Sequence, residues 1–320
     1  MKEYQSAPYI ELEDYKAPKG INSVFIPMKD NKKLRLIYWV NLIDDNKKRG
    51  TILLQQGHNE FIEKYFETIQ ELLNRGFNVI CFDWRGQGLS EKMIDDKHKQ
   101  YIEDFSIHNS DLEFIINEII IKNFKQPLIG IGHSMGGHIL LSSKSLMNEK
   151  FKALILSAPM LGFSHETILF TLSSLTDIFS NKESYFPGSK PNMGNETTFE
   201  DNELTSDPKR YSRTQKLVRK LPNIRLWGVT NSWVSAVKKN LIKIRQESWL
   251  KSIQTRILII NPLEDKVVNS KKTIQIANKL PICKIINING VQHEILMEKD
   301  KLREIFWKHF DNFLTDLKVL

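Results

Sequence analysis

Short apolar runs alternate with segments of helical periodicity along most of the chain. Runs such as "TILLQQ" (51–56), "PLIGIGH" (127–133) and "TRILIIN" (255–261) contain few charged residues, as is typical of strands buried on both faces of a sheet. Strands that alternate with helices favour a parallel sheet covered by helices on both sides. Near the N-terminus, "SVFIPM" and "LRLIYWV" flank the turn "KDNKK" and predict a β-hairpin. The sequence therefore predicts an α/β fold with a mostly parallel sheet.

One region interrupts this alternation. Between residues 161 and 252 no segment has the pattern of a core strand, and the turn-rich stretch "YFPGSKPNMGN" (185–195) stands among several amphipathic segments. An insertion of this size between two sheet strands is typical of a cap domain. We therefore assign residues 1–160 and 253–320 to the core and residues 161–252 to a helical cap, or lid.

The composition is that of a soluble globular protein with a large core. With 320 residues, the chain can bury about 75% of the surface of its unfolded form. The cysteines, Cys81 and Cys283, lie in apolar stretches, which predicts two buried reduced thiols rather than a disulfide or a metal site. The N-terminus has no apolar signal-peptide core, and no window reaches the roughly 20 apolar residues of a membrane span. We expect a cytoplasmic protein.

The net charge of +8 is concentrated in one segment, residues 209–251, which we call the basic block. It contains twelve lysines and arginines against one acid, Glu247, so the rest of the chain carries −3. A solvated helical face, an anionic lipid surface or an acidic substrate would each explain such a block. The block has no nucleic-acid-binding motif and no interleaved aromatic residues, so we expect no nucleic acid partner.

The stretch "GIGHSMGGHIL" (130–140) places Ser134 at the corner between a predicted strand and a predicted helix. A residue at such a corner has a strained backbone, and side chains two positions before and after it would crowd the turn. Gly132 and Gly136 remove that crowding, as in the nucleophile elbow G-x-S-x-G. The helix that follows directs its N-terminal amides towards any anion formed at Ser134. The pattern predicts a nucleophilic serine.

A serine hydroxyl needs a base at neutral pH, and His293 is the histidine best placed to supply one. It follows the last predicted strand, in "NGVQHEI", where a loop would overhang the carboxyl edge of the sheet. His133 and His138 lie too close to Ser134 in sequence and are expected to pack the elbow. The remaining histidines, except His58, are predicted on loops or helices away from a strand end.

The base in turn needs an acid that fixes its tautomer. Asp265, in "IINPLEDKVV", follows the preceding strand and comes 28 positions before His293. The order serine, aspartate, histidine, with each residue at the carboxyl end of a strand, is that of α/β-hydrolase triads. The neighbouring Glu264 could take the same role, and Asp265 could be only a turn carboxylate.

The loop "GHNE" after the strand 51–56 is expected to supply an oxyanion donor. There the backbone amide of His58 could pair with the amide of Met135, and each such donor is typically worth about 10²–10³ in turnover. In the alternative interpretation, Gly57 and His58 form only a tight turn.

Four segments carry a resemblance to a known family: "EFIEKYFETIQELLNRGFNVICFDWRGQGLS" (60–90), "GHSMGGHI" (132–139), "NELTSDPKRY" (202–211) and "HEILMEKDKLREIFW" (293–307). With these, the chain resembles the lysophospholipase L2 and monoacylglycerol lipase branch of the α/β-hydrolase superfamily, which is also grouped under the name serine aminopeptidase. The resemblance implies an α/β-hydrolase fold with a cap insertion. It departs at one point, because many relatives have His-Gly where this chain has Gln56-Gly57.

For the site, the resemblance implies Ser134 as nucleophile, His293 as base, Asp265 as its acid, and backbone amides of His58 and Met135 as oxyanion donors. Asp83 and Arg85 are expected to hold the loops below the site.

The activity implied is that of a carboxylic ester hydrolase acting on a single-chain lipid, a lysophospholipid or a monoacylglycerol, without metal or cofactor. A general carboxylesterase and a non-catalytic lipid-binding protein on the same scaffold are the alternatives. The apolar residues of 166–179 could line an acyl tunnel or simply pack the cap onto the sheet. The basic block could attract the protein to an anionic membrane surface.

Overall fold

The structure is a computed structural model that describes residues 4–42, 49–189 and 198–320. Its strands are β1 (Gln5–Ser6), β2 (Ile21–Pro27), β3 (Lys33–Trp39), β4 (Thr51–Gln55), β5 (Asn78–Phe82), β6 (Lys99–Gln100), β7 (Leu128–His133), β8 (Phe151–Ser157), β9 (Gly228–Val229), β10 (Arg256–Pro262) and β11 (Cys283–Ile288). Nine of them form one sheet in the order β1-β2-β3-β5-β4-β7-β8-β10-β11, and β6 pairs with β9 in a second, two-stranded sheet.

The helices are α1 (Phe66–Asn74), α2 (Phe105–Phe114), α3 (Ile121–Asn123), α4 (Met135–Ser142), α5 (Lys144–Lys150), α6 (Glu166–Phe179), α7 (Pro208–Lys220), α8 (Asn231–Ile244), α9 (Glu247–Lys251), α10 (Ser270–Ala277) and α11 (Asp300–Asp316). A π-helical segment, Ile115–Ile120, joins α2 to α3, and short 3-10 helices occupy Ile62–Tyr65, Pro222–Ile224 and Ile295–Met297. Among the described residues, no helix combines the length and the apolar content needed to cross a bilayer.

The sheet is parallel from β5 to β11, and the predicted hairpin forms its antiparallel end. β2 pairs antiparallel with β3, and β3 pairs antiparallel with β5. All further neighbours, from β5 through β4, β7, β8 and β10 to β11, run parallel. The α/β-hydrolase fold and the mostly parallel sheet predicted from the sequence are therefore confirmed.

Both faces of the sheet are buried, which explains the nearly continuous apolar strands. Along β5, Ile80 and Phe82 pack with α2 and α4 on one face, whereas Val79 and Cys81 pack with α1 and α11 on the other. The edge strand β11 is different, since most of its residues are only partly buried. Both cysteines are free thiols, but the prediction that both are buried is wrong for Cys283, which lies half-buried on this edge strand.

The carboxyl ends of the parallel strands meet at one edge of the sheet, as they do in open α/β folds generally. The loops that follow β4, β7, β10 and β11 carry His58, Ser134, Asp265 and His293. The topology thus gathers residues that are up to 235 positions apart in the chain, from 58 to 293.

The segment between β8 and β10 contributes helices rather than a strand of the main sheet. It contains α6 to α9 and the short strand β9. Helix α6 packs on α8, and α8 packs on α2 and α4 of the core. Part of the turn-rich stretch 185–195, residues 190–195, lies outside the described residues. The division into a core and a cap at residues 161 and 252 stays a prediction.

Candidate active site

Ser134 occupies the sharp turn between β7 and α4, with φ of 48° and ψ of −114°. A non-glycine residue in such a conformation costs about 1–3 kcal/mol, so the surrounding structure must hold it there. Its backbone N–H donates to the Ser157 carbonyl at 3.0 Å, and its own carbonyl accepts from Met160 N at 3.0 Å and from His138 N at 3.1 Å. These three bonds fix the strained residue to β8 and α4.

Gly132 and Gly136 stand where any side chain would collide with backbone. A Cβ on Gly132 would lie 2.7 Å from the backbone N and Cα of Gly137. A Cβ on Gly136 would lie 2.5 Å from the Gln55 carbonyl oxygen and 2.7 Å from that of Gln56. The glycines therefore let the turn close and let the end of β4 approach the first turn of α4, as their spacing predicts.

His293 and Asp265 form a direct hydrogen bond, in which Nδ1 of the imidazole lies 2.7 Å from Oδ2 of the carboxylate. The other carboxylate oxygen of Asp265 accepts from the backbone N–H groups of Val267, at 2.8 Å, and Val268, at 3.0 Å. Burial alone would raise the pKa of Asp265, but its hydrogen bond to His293 and the two amides outweigh burial and lower it. The carboxylate is thus ionised and leaves Nε2 as the ring nitrogen that can take a proton.

The structure distinguishes between the two acids that the sequence left open. Glu264 accepts a hydrogen bond from the backbone N–H of Gly290, whereas Asp265 contacts His293. Both acids are thus engaged, but only Asp265 among them contacts the imidazole in the described part of the chain.

A cavity of about 210 Å³ brings Ser134 and His293 to the same space. Gly57 and His58 line it as well, and the ring of His133 lies 4.8 Å, centroid to centroid, from the ring of His293. Burial lowers the pKa of His133 to about 4, and its Nδ1 lies 3.2 Å from the Ser157 carbonyl oxygen. His133 is therefore a neutral packing residue at neutral pH, as expected from its place beside the elbow.

His138 packs the other side of the elbow. Its Nδ1 lies 3.0 Å from the Met160 carbonyl oxygen, and its Nε2 lies 3.0 Å from the side-chain amide of Asn240 on α8. Burial lowers its pKa to about 3, so this ring is also neutral. The elbow is thereby tied to the inserted helices.

Of the two residues expected to hold an oxyanion, Met135 directly follows Ser134 and His58 lines the same cavity. Met135 is the first residue of α4, and N–H groups in the first turn of a helix have no partner within the helix. His58 follows Gly57, whose N–H donates to Glu60 Oε2 at 2.6 Å, so the chain turns tightly at this point. Both the tight turn and the oxyanion role fit these contacts, and the oxyanion role stays a prediction.

Gln56, the position at which the resemblance departs, anchors this loop to the end of β5. Its side-chain amide donates to the Phe82 carbonyl and to Asp83 Oδ1, both at 3.1 Å, and its own carbonyl accepts from Trp84 Nε1 at 2.9 Å. Asp83 also accepts from the buried Arg35 at 2.8 Å. The departure at Gln56 therefore leaves the loop firmly held.

Arg85, like Asp83, has a structural place below the site. Its guanidinium is buried and forms ion pairs with Asp30, at 2.5 Å, and with Asp111, at 2.7 Å. These pairs link the loop after β5 to the turn between β2 and β3 and to α2, in keeping with the prediction that it holds loops in place.

A buried ionic cluster next to His293 was not predicted from the sequence. The ammonium of Lys64 donates to Glu60 Oε1 at 2.6 Å and to Glu294 Oε1 at 2.5 Å, and all three side chains are at most 7% exposed. Glu60 Oε2 accepts from the Tyr65 hydroxyl at 2.7 Å as well as from Gly57. We call Glu60, Lys64 and Glu294 the ionic cluster.

The ionic cluster joins the two loops that carry the predicted chemistry. Glu60 belongs to the loop of Gly57 and His58, and Glu294 directly follows His293. Burial alone would raise the pKa of Glu60, but the charge of Lys64 and the hydrogen bonds from Lys64 and Tyr65, together with the nearby His133, outweigh it and lower that pKa to about 2. For Glu294, burial outweighs Lys64 and raises the pKa.

Glu60, His133 and Glu294 also place one ligand atom each within 4.8 Å of one another, a spacing that a metal ion could use. The ammonium of Lys64 donates to both carboxylates, so it already supplies the positive charge that a metal ion would bring there. The two carboxylates therefore fit a structural ion pair with Lys64 better than a metal centre with His133.

The comparisons with known proteins agree with this geometry. The family model described as "Serine aminopeptidase, S33" matches residues 46–300. A protein of Haemophilus influenzae named probable lysophospholipase L2 is 26% identical over 290 residues, which cover 90% of this chain and 91% of that protein.

Two solved structures have the same fold over nearly the whole chain. A soluble variant of monoglyceride lipase from Saccharomyces cerevisiae, in complex with a substrate analog, aligns with a TM-score of 0.73 at 17% identity and covers 96% of this chain and 100% of its own. A thermostable carboxyl esterase from Bacillus coagulans aligns with a TM-score of 0.74 at 17% identity and covers 95% and 100%. The resemblance read from the sequence is confirmed, and the chain belongs to the serine aminopeptidase S33 family of α/β-hydrolases.

Proposed function

We propose that this protein is a serine carboxylic ester hydrolase that cleaves a single-chain lipid ester, a lysophospholipid or a monoacylglycerol, through an acyl-enzyme. The observation that carries the proposal is the bond between His293 and Asp265 at the cavity that Ser134 also lines. The named relative is a probable lysophospholipase, and a monoglyceride lipase and a carboxyl esterase share the fold.

The residues present supply each step of ester cleavage. Oγ of Ser134 attacks the ester carbonyl carbon while its proton passes to Nε2 of His293, and Asp265 stabilises the imidazolium. The amides of His58 and Met135 hold the negative charge on the carbonyl oxygen. His293 then protonates the leaving alcohol, and the Ser134 acyl ester remains. A water molecule repeats the attack with His293 as base, which releases the fatty acid and restores the hydroxyl.

An aminopeptidase activity is disfavoured by the charges at the cavity. An aminopeptidase needs a free carboxylate that holds the substrate's α-ammonium group. The carboxylates that line this cavity, Glu60 and Glu294, both contact the ammonium of Lys64. A substrate ammonium would have to displace a buried lysine to reach either one.

Covalent labelling tests the nucleophile and also separates the enzyme from a non-catalytic lipid-binding protein. We expect a fluorophosphonate probe to label the wild type, and Ser134→Ala to abolish labelling and to lower turnover of p-nitrophenyl butyrate by at least about 10⁴-fold. Ser143→Ala is the matched control, because Ser143 is also buried and its hydroxyl donates to the Ile139 carbonyl within its own helical turn. Equal labelling of wild type and Ser134→Ala would refute the proposal.

Product analysis tests the substrate class. The wild type is incubated with lysophospholipids, monoacylglycerols and short esters, all of them unlabelled carboxylic esters. The fatty acid that is released from each is measured. A kcat/KM at least about 10-fold higher for the single-chain lipids than for short esters supports a lipid hydrolase. The reverse order supports the general carboxylesterase instead.

Helix α6 gives the lipid-surface proposal a specific location. Leu169, Phe170 and Leu172 pack against the core, as the simpler interpretation of this helix predicted. Four other large apolar side chains of α6 are exposed, among them Ile168 at 69%, Ile178 at 73% and Phe179 at 79%. The residues that line the cavity beside Ser134 include none from α6, so this helix does not form an acyl tunnel at that cavity.

Lysines border this exposed apolar face. Lys182 is exposed just beyond the end of α6, and Lys238 donates to the Ser174 hydroxyl on the helix itself. Apolar residues beside cations are typical of proteins that dock on anionic lipid, at about 1 kcal/mol per well-placed cation. We propose that α6 contacts an anionic membrane surface.

Vesicle co-sedimentation tests this contact. We expect the wild type to bind vesicles that contain anionic lipid at low salt, and Ile178→Asp to weaken that binding at least about 10-fold. Leu42→Asp is the control, since Leu42 is 89% exposed but lies outside the inserted segment. If the wild type fails to bind at low salt, α6 and the basic block are only solvated surfaces.

A further inference from the structure

The cavity beside Ser134 has a mixed lining. Its walls carry two carboxylates, an ammonium, a guanidinium and several amide and hydroxyl groups, together with the apolar side chains of Phe61, Leu204, Val218 and Val267. A long acyl chain requires apolar walls, whereas a glycerol-based headgroup requires polar ones. The polar part of this lining is therefore suited to a headgroup.

Two cations line this cavity, Lys64 and Arg225, and they differ in whether a carboxylate compensates their charge. Lys64 contacts Glu60 and Glu294, so its charge is compensated within the protein. Arg225 has no carboxylate within 4.0 Å in the described part of the chain, and its Nη1 lies 3.4 Å from the neutral amide oxygen of Gln215. Arg225 is therefore the cation at this cavity whose charge remains available to an anion.

The backbone around Arg225 is held against the loop that carries His58. The N–H of Leu226 donates to the side chain of Asn59 at 2.7 Å. On the other side, Trp227 N donates to the His98 carbonyl at 2.8 Å, and the Trp227 and His98 rings stack with centroids 3.6 Å apart. Arg225 is thus presented to the cavity from a fixed stretch of chain, which limits the entropy lost when it binds a ligand.

Ser134 and Arg225 line the same cavity, whose volume is about 210 Å³. In a lysophospholipid, six bonds separate the ester carbonyl carbon from the phosphorus, which places them about 7 Å apart. One small headgroup can therefore occupy the cavity that both residues line.

We propose that Arg225 forms a phosphate subsite, which binds the headgroup phosphate of a lysophospholipid while Ser134 attacks its ester carbonyl. This inference rests on the proposed ester hydrolase and names lysophospholipids as the preferred substrates. Arginine suits the role because its planar guanidinium can donate two parallel hydrogen bonds to a phosphate. A neutral monoacylglycerol gains nothing from such a group, and it leaves Arg225 without a partner.

The first test compares substrates that share an acyl chain, one with a phosphoethanolamine headgroup and one without. For 1-oleoyl lysophosphatidylethanolamine against 1-monooleoylglycerol, we expect a kcat/KM ratio above one in the wild type. Arg225→Gln should lower that ratio about 10- to 100-fold, since a hydrogen bond to a charged group is typically worth about 1.5–3 kcal/mol. Arg225→Lys keeps the charge but loses the paired donors, so its ratio should be intermediate. Arg256→Gln is the matched control, because Arg256 is exposed at the start of β10, at the opposite edge of the sheet.

The second test avoids lipid aggregates. We expect sn-glycerol 3-phosphate to inhibit hydrolysis of p-nitrophenyl acetate competitively, and Arg225→Gln to raise its inhibition constant at least about 10-fold relative to Arg256→Gln. An unchanged inhibition constant, or an equal loss of activity on both oleoyl esters, would overturn the phosphate subsite. A wild type that cleaves no ester and takes no fluorophosphonate label would instead refute the proposed function.

Discussion

Removal of the Lys64 ammonium is the sharpest perturbation of the ionic cluster. Lys64→Met keeps most of the side-chain volume but leaves Glu60 and Glu294 buried without their shared cation, which lies 2.6 and 2.5 Å from them. Removing one partner of a buried ion pair typically lowers the free energy of unfolding by about 3–5 kcal/mol. For a chain of 320 residues, with an unfolding entropy of about 0.7 kcal/mol/K, that loss lowers Tm by about 4–7 °C.

The chain contains a matched control for this substitution. Glu118 and Lys122 have the same spacing of four residues and a contact of 2.5 Å, but their side chains are 47% and 58% exposed. Exposed pairs of this kind contribute about 0.5 kcal/mol or less, so Lys122→Met should change the free energy of unfolding by no more than that. The two lysines have the same spacing to a glutamate but differ in burial, and Lys64 also contacts a second carboxylate, that of Glu294.

Urea unfolding at two pH values completes the experiment. Without Lys64, burial raises the pKa of both carboxylates. As the pH falls, the folded variant therefore takes up protons at a higher pH than the unfolded chain does. The deficit of Lys64→Met relative to the wild type should therefore be smaller at pH 5 than at pH 8. Lys64→Met/Glu60→Gln/Glu294→Gln, which carries no unpaired charge, should recover most of the loss. A deficit below about 1 kcal/mol at pH 8, or one that grows towards pH 5, would refute the argument.

Two further substitutions test how the loops and helices around the site are held. In Gly57→Ala the new Cβ would lie 2.9 Å from Glu60 Oε2 and 3.0 Å from Ser134 Cβ, so we expect kcat on p-nitrophenyl butyrate to fall about 10²-fold with little change in circular dichroism. Turnover within twofold of the wild type would contradict this. Burial alone would raise the pKa of Glu67, but the arginines around it outweigh burial and lower that pKa to about 2. The ionised carboxylate therefore stabilises the fold above pH 4.5, and this contribution is lost as the pH falls towards 2. After allowance for solvent screening, Glu67→Gln should cost about 1–2 kcal/mol in urea unfolding at pH 7 and much less at pH 3, and a pH-independent cost would exclude the role.

The three predicted catalytic side chains could be located from the sequence because strand ends fix their positions. Ser134, Asp265 and His293 each follow a recognisable apolar strand, and parallel pairing brings the carboxyl ends of such strands to one edge. The glycines around Ser134 added a local steric signal. The choice between Asp265 and Glu264 needed coordinates, because two adjacent residues of a turn can point in different directions.

The ionic cluster could not be predicted in the same way. Glu60 and Lys64 have the spacing of an ordinary exposed helical pair, and only their burial distinguishes them from Glu118 and Lys122. Their third member, Glu294, lies 230 positions from Lys64. Its place directly after His293 is the one signal in the sequence that could have drawn attention to it.

The basic block shows why a charge count does not predict a binding surface. The sequence offered a solvated face or an anionic partner, yet Arg210 is buried in ion pairs with Glu67, Asp207 and Asp300, all outside or at the edge of the block. Arg210 fastens α7 to the core, because Glu67 and Asp300 come from distant parts of the chain. An anion outside the protein responds to the charge that remains uncompensated after these pairs have formed. At the cavity this charge belongs to Arg225, so we expect the position of one arginine, rather than the twelve bases of the block together, to bear on substrate choice.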